Sequence, residues 1–441
     1  DHGEEIHDGN FCMDGLVYPD RTVHTGLLEY KNVYRPARVI SYDKESGELV
    51  LHNYMDFDDL KDYVKISYEL TQDGLVISKG KLPEVSAAPH SEGKINLKIN
   101  VPESGKCYLK FIYHLKKELP LLDEDHILGF DEIEVSQKDA KCQLAEKWVE
   151  KTVTDSELQV SEDDTQIHIK GREFAYTIDR RTALFTEMKF AGREYLNHPM
   201  ELNIWRAPTD NDMYIKSEWK KAHYDKAYTR AYTTEVVQGK HGVKITSHAS
   251  VVAETVQKIL DVTITWKIEA AGKIDADIAV TKDDEFPDLP RFGVRMFLDK
   301  KLSAARYFGM GPQESYCDKH QAASHGLYHA NVDDLHEDYI RPQENGSHYD
   351  CEYVELNNSR YGIVVSAENA FSFNASYYTQ EELEKKTHNY ELTESDSVVF
   401  CVDYALNGIG SNSCGPVVLD QYRFDDVLFR FQFTLIPYVK G

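Results

Sequence analysis

The side chains best able to do chemistry fall in a few places. Cys317, His320, His325, His329, His336, His348 and Cys351 form the densest cluster of soft and borderline ligands in the chain. Thiolate and neutral imidazole are good zinc ligands, and Cys317-x-x-His320 resembles half of a zinc site. No second close pair follows at the usual finger spacing, so the cluster reads equally as scattered surface and core residues. Asp210-Asn211-Asp212 is like the start of a calcium loop, but the glycine and distal glutamate of the EF-hand template are missing. The alternative there is a turn closed by Asx hydrogen bonds. With 75 carboxylates in the chain, an acid and base pair can always be drawn, and nothing in their spacing selects one. No G-x-S-x-G elbow and no H-E-x-x-H helix occurs. Gly309-Met310-Gly311-Pro312-Gln313-Glu314 fails G-x-G-x-x-G at its last position, and Pro312 marks a turn.

The elements that would position these residues are mostly strands. Leu260, Val262, Ile264, Trp266 and Ile268 alternate with polar neighbours, and Ile274, Ala276, Ile278 and Val280 follow after the turn 270–273. Phe429, Phe431, Phe433 and Leu435 repeat the pattern, as do Phe174, Tyr176 and Ile178. Period-two alternation places apolar side chains on one sheet face, which means antiparallel sheets packed as sandwiches. Helical signals are few. Thr379-x-x-Glu382 predicts a capped short helix through Lys386, and Ser217 to Arg230 is a second candidate.

Length and composition set the frame. A chain of 441 residues has room for several domains and a large core. Hydrophobic residues at 41% and charged residues at 28% are ordinary for a globular protein. No run of about 18 apolar residues is present, so no transmembrane helix is expected. Asp and Glu outnumber Lys and Arg by 75 to 50, a formal charge of -25, which repels a phosphate backbone and excludes nucleic acid as a partner. Seven thinly spread cysteines suit a reducing compartment, so a cytoplasmic location is expected. The sequons at Asn345, Asn357 and Asn374 carry weight only in a secretory pathway. Residue chemistry alone thus gives an acidic, multidomain β protein with an extended polar binding surface.

Ordered motifs go further. Asp8-Gly9-Asn10-Phe11-Cys12-Met13-Asp14-Gly15-Leu16-Val17 with Asp20-Arg21 stands near the start. Trp205-Arg206-Ala207-Pro208-Thr209-Asp210-Asn211-Asp212 and Gly309-Met310-Gly311-Pro312-Gln313-Glu314-Ser315-Tyr316 come later. Pro342-Gln343-Glu344-Asn345-Gly346 and Gly408-Ile409-Gly410-Ser411-Asn412-Ser413-Cys414-Gly415-Pro416 complete the set. In this order and at these separations they resemble the C-terminal portion of the large lac-type β-galactosidases of glycoside hydrolase family 2. The resemblance covers essentially the whole chain.

It implies a mainly β architecture. Residues 1–25 would be the tail of a TIM barrel with its last active-site loop. An immunoglobulin-like sandwich would span 26–140, a linker 141–154, and a large antiparallel, galactose-mutarotase-like supersandwich 155–441. The opening, Asp1-His2-Gly3-Glu4-Glu5, reads as the interior of a longer protein. The family's two catalytic glutamates and its magnesium ligands lie upstream of Asp1 in family order. No catalytic residue is therefore expected in this chain, and the fragment alone is expected to be inactive. Retention of configuration needs two carboxyls about 5 Å apart across one bond. Phe11 and Asp14 match the family's sodium ligands beside the sugar, with Asp14 standing where the family has Asn. Cys414 matches the position, familiar as Trp, that reaches over the barrel mouth as a sugar platform, and a thiol offers less apolar face there. A homo-oligomer acting on β-galactosides is implied. The alternatives are a stand-alone carbohydrate-binding protein and the small subunit of a two-chain β-galactosidase. A fragment of a larger enzyme should also expose apolar surface, above about 600 Å², near Cys414 or on the small sandwich.

Overall fold

The computed structural model describes residues 15–138, 140–144, 147, 158–255 and 258–440. The chain is mainly β and divides into two compact units. The first comprises Asp1–Gln143 with the short segment His320–Leu327, and the second comprises Leu144–Lys319 and Tyr328–Gly441. Among the described residues no helix is long and apolar enough to cross a membrane, and none of the described cysteines is in a disulfide.

The first unit is an immunoglobulin-like sandwich of three strands on four. Ala37–Tyr42, Glu48–Asn53 and Glu92–Asn96 form one sheet; Leu75–Lys81, Val64–Gln72, Cys107–Leu115 and Ile127–Glu134 form the other. Alternate residues of Cys107–Leu115, namely Cys107, Leu109, Phe111, Tyr113 and Leu115, are all buried. They meet Leu49, Leu51, Val64 and Leu70 in one core. The helix Thr25–Val33 precedes the sandwich. Strand alternation gives no sign of it, because its buried side chains are Thr25 and Asn32 rather than an apolar stripe. Asn32 docks it through hydrogen bonds to both backbone groups of Phe130, its Nδ2 donating to the carbonyl (3.1 Å) and its Oδ1 accepting from the amide (2.7 Å).

The segment His320–Leu327 joins this unit through polar contacts. Both carboxylate oxygens of Glu29 accept backbone N–H groups, from Gln321 and Ala322, each at 2.8 Å. His325 stacks on Tyr108 with ring centroids 4.0 Å apart and meets the Glu132 carboxylate at 2.7 Å.

The second unit is built on a twelve-stranded antiparallel sheet with a five-stranded sheet beside it in sequence. The alternating segments pair as their pattern requires. Leu260–Glu269 and Ile274–Lys282 form a hairpin in which Val262 faces Val280. Across four strands Ile245, Trp266, Ala276 and Phe433 stand in one row. Trp266 is fully buried, packs edge-on to Phe185, and donates its Nε1–H to the Ala183 carbonyl at 2.8 Å. Each such side chain removed from water contributes roughly 1.5–3 kcal/mol.

The two helix expectations fare differently. Thr379 caps Gln380–Lys385, its Oγ1 accepting from the Glu382 amide at 3.1 Å. The stretch Ser217 to Arg230 is helical only within Ile215–Lys221. His223 adopts φ 58°, in the left-handed region that ends a helix. A 3₁₀ turn then leads into the strand Tyr228–Gln238, whose threonines and aromatics favour extended backbone.

Candidate functional site

Four of the motif loops converge in the second unit on a set of buried charges. Arg206 has no exposed surface. Its Nε and Nη2 donate to the two oxygens of Asp212 at 3.1 and 2.7 Å, and Nη1 and Nη2 donate to the carbonyls of Asn407 and Gly408 at 2.5 and 3.1 Å. Asp212 also accepts the Thr209 amide at 2.9 Å. Asp210-Asn211-Asp212 is therefore a 3₁₀ turn locked by a guanidinium.

Beside it, Arg291 donates to both oxygens of Asp403 at 3.0 and 2.5 Å, and to both oxygens of Glu344 at 3.3 Å. The side chains of Arg291 and Asp403 are completely buried. Burial opposes the guanidinium charge, but Asp403 and Glu344 outweigh it and hold the Arg291 proton more tightly than water does. Burial lifts the Glu344 carboxyl above its usual range, and Arg291 and Arg206 only partly offset that.

Glu314, from the Gly309–Tyr316 motif, is the third node. Burial alone would raise its pKa, yet Lys319 Nζ at 2.5 Å, Tyr339 OH at 2.5 Å and the Gly346 amide at 2.8 Å hold it below the ordinary value. Backbone bonds tie the loops further: the Glu344 amide donates to the Ala207 carbonyl at 3.0 Å, and the Ser315 amide to the Ser347 carbonyl at 2.7 Å.

These partners position the loop that carries Cys414. The Asp318 carboxylate accepts the Ile409 and Gly410 amides at 3.0 and 2.8 Å. Asn211 Nδ2 donates to the Gly410 carbonyl at 2.5 Å. A side chain at Gly408 would place its Cβ 2.7 Å from Asp318 Oδ2, so glycine lets the carboxylate approach. Cys414 lies beyond these anchors, exposed on a turn closed by the Gly415 amide and the Ser411 carbonyl at 2.8 Å. Phe11 and Asp14 lie outside the described residues.

The hub is suited to holding loops rather than to proton transfer with a solvent-borne substrate. Each of Asp212, Asp403, Glu344 and Glu314 is buried against a cation. Arg291 and Asp403 belong to none of the sequence motifs. A signal existed: Asp403 interrupts the apolar run Val398-Val399-Phe400-Cys401-Val402, where a lone carboxylate needs a buried partner.

The cysteine–histidine cluster does not assemble. Cys351 is buried with Sγ directed at the His348 carbonyl, 3.5 Å away. His348 packs against Phe373 and Tyr307, and His336 against Tyr378. Among the described residues no group of three or more His, Cys, Asp or Glu is arranged to hold a metal.

The sheets and the loop hub together define a mainly antiparallel β protein with a charge-clamped loop end. Residues 170–435 match the family described as beta galactosidase small chain, and residues 49–136 match β-galactosidase, domain 4. The chain belongs to the β-galactosidase family. It is 45% identical to a β-galactosidase of Actinobacillus pleuropneumoniae over 99% of this chain and 42% of that protein. It is 32% identical to one of Staphylococcus xylosus over 99% of this chain and 43% of that protein. The chain thus spans about two fifths of the length of these relatives. Among solved structures, a galactose 1-epimerase from Lactobacillus acidophilus aligns with 66% of this chain and 100% of its own, at 8% identity and a TM-score of 0.36.

Proposed function

We propose that this chain forms the C-terminal domains of a retaining β-galactosidase that hydrolyses terminal β-D-galactosides such as lactose. In this reading it shapes the substrate pocket and the oligomer interface of a cytoplasmic homo-oligomer, and the two catalytic glutamates and the magnesium ligands belong to preceding domains. The sandwich at 26–140 and the supersandwich at 155–441 are its two modules, after a barrel tail at 1–25 and a linker at 141–154. Phe11 and Asp14 are assigned to sodium and sugar, and Cys414 to the pocket mouth.

The observation that carries the reading is the convergence of the motif loops on one hub that ends at the Cys414 loop. A structure that must present a loop to another domain benefits from such anchoring. Val417 and Leu419, just past Cys414, are 70% and 62% exposed, and in this reading another domain covers them.

The test is hydrolysis of nitrophenyl β-galactoside by the chain alone and mixed with the N-terminal remainder of the Actinobacillus relative. No turnover alone and recovery on mixing is the expected result. Turnover by the chain alone would overturn the reading, because it requires a carboxylate pair within these residues.

A second reading, one subunit of a two-chain enzyme, is favoured by the small-chain description of the matching family. An immunoblot of the native source separates the two. A native band near 50.6 kDa supports the subunit, and one more than twice as heavy supports the single chain.

A further inference from the structure

The second unit contains a cleft of about 330 Å³ that the proposed function does not use. Five stretches of chain line it: 316–317, 347–350, 370–372, 404–406 and 421–426. One wall is aromatic. Tyr404 lies nearly parallel to Phe429, 15° between planes and 4.9 Å between centroids, and contacts Phe424 at 5.9 Å. Its ring is therefore held in one orientation, with Tyr349 and Tyr422 also on the lining.

The other wall is polar. Ser347 is 1% exposed, and its Oγ has no hydrogen-bond partner among the described residues although it lines the cleft. Buried hydroxyls are almost always satisfied, so this one points to a group that enters the cleft. Asp350, Asp426 and the Gln421 amide line the same space. Its one cationic side chain, Arg423, is already engaged: Nε and Nη2 donate to Asp288 at 2.8 and 3.2 Å, and Asp420 lies 3.5 Å from Nη1.

This chemistry selects a ligand class. An anion would meet carboxylates and find Arg423 occupied. An alkylammonium ion would suit the rings and carboxylates and donate to the Ser347 and Gln421 oxygens, but it accepts nothing, so the Ser347 O–H and the Gln421 N–H groups would find no acceptor on it. A pyranose meets every requirement: its C–H face lies on tyrosine, its hydroxyls donate to carboxylates, and its oxygens accept from Ser347 and Gln421. The volume is at the lower end of the ~300–1,000 Å³ typical of ligand clefts, enough for one or two sugar rings. We propose that the cleft between Tyr404, Ser347 and Asp426 is a saccharide-binding site of this chain. The inference does not depend on the galactosidase reading, since it concerns binding to the 441-residue chain whatever the mixing assay yields.

The experiment is calorimetric titration of the 441-residue chain with methyl β-galactoside and methyl β-glucoside, with tetramethylammonium chloride as the cation probe. A saturable pyranoside signal with Kd on the order of 1 mM is expected. Asp426→Asn, at an exposed rim position, should weaken it about tenfold by replacing a charge-assisted hydrogen bond. Ala370→Trp, which fills the cleft from an exposed position, should abolish it while leaving thermal unfolding unchanged. Three results would overturn the proposal: no saturable binding of either pyranoside, pyranoside binding undiminished by Ala370→Trp, or saturation by tetramethylammonium alone.

Discussion

The two units handle buried charge in opposite ways. In the sandwich the central pair is Arg35 with Asp131, 2.6 Å apart, with side chains 8% and 12% exposed. Asp131 also accepts from Tyr113 OH at 2.5 Å and from the Val39 amide at 2.9 Å. In the larger unit Arg291 and Asp403 have no exposed surface, and Glu344 and Asp212 almost none. The difference follows from size. A small sandwich has few positions beyond the reach of water, so its pair keeps a little exposure and acts as a clasp. A twelve-stranded sheet has a deep interior, where an ion persists only if its partner is held in place. The clasp ties one strand and the sandwich edge to one carboxylate. The hub ties loops more than a hundred residues apart.

The strongest way to break this contrast is Arg291→Met. It leaves Asp403 and Glu344 without their cation, and loss of one partner of a buried pair costs about 3–5 kcal/mol. The tryptophans among the described residues, Trp205, Trp219 and Trp266, are all buried in the larger unit. Their fluorescence during urea unfolding should therefore show the full loss. An unchanged tryptophan transition would mean that the hub is not a structural keystone.

A pH experiment follows in size. Burial lowers the pKa of His348 from the ordinary 6.5 to about 4. Below pH 6.5 the unfolded chain binds a proton that the folded chain refuses, so stability falls as pH drops from about 6.5 to about 4. The expected loss is about 3 kcal/mol from this one side chain. His348→Gln should flatten that window in the tryptophan transition, and an equal slope in the variant would refute the assignment.

Asp131→Asn sharpens the comparison from the other side. It should cost about 2 kcal/mol, the scale of hydrogen bonds to a charged group. The loss should appear in a calorimetric transition of the sandwich that tryptophan fluorescence does not report. A loss as large as that of Arg291→Met would erase the distinction between clasp and hub.

The smallest effect is local. Asp318→Asn keeps one carbonyl acceptor for the Ile409 and Gly410 amides and loses the other. Their hydrogen exchange should quicken roughly fivefold, the equivalent of about 1 kcal/mol, with the global transition unmoved. Unaltered exchange would show that Asp318 does not hold the Cys414 loop.

Much of the fold was legible because strand alternation is a local signal. Each apolar residue of Leu260–Glu269 declares its face through its nearest neighbours, and the register Val262↔Val280 follows from one tight turn. The helix Thr25–Val33 was not legible, since asparagine and glutamate side chains dock it instead of an apolar stripe. The helix expected over Ser217 to Arg230 was overextended, because His223 turns left-handed where its residue type only permits it. In the candidate site the loops were visible as motifs. The Arg206–Asp212 clamp spans six residues and lies inside one of them.

The sequence by itself determined the antiparallel sheets, the capped helix after Thr379, the acidic surface and the family. These rest on residue type and on spacings of a few positions. Tertiary structure alone decided that Arg291 meets Asp403 across 112 residues and Glu344 across 53. It also decided that His348 is sealed from water and that Asp318 holds the Cys414 loop. The reason is physical. Alternation is set by backbone geometry within one strand, whereas ion pairing and proton affinity depend on distance and burial in space, which adjacent residues do not encode.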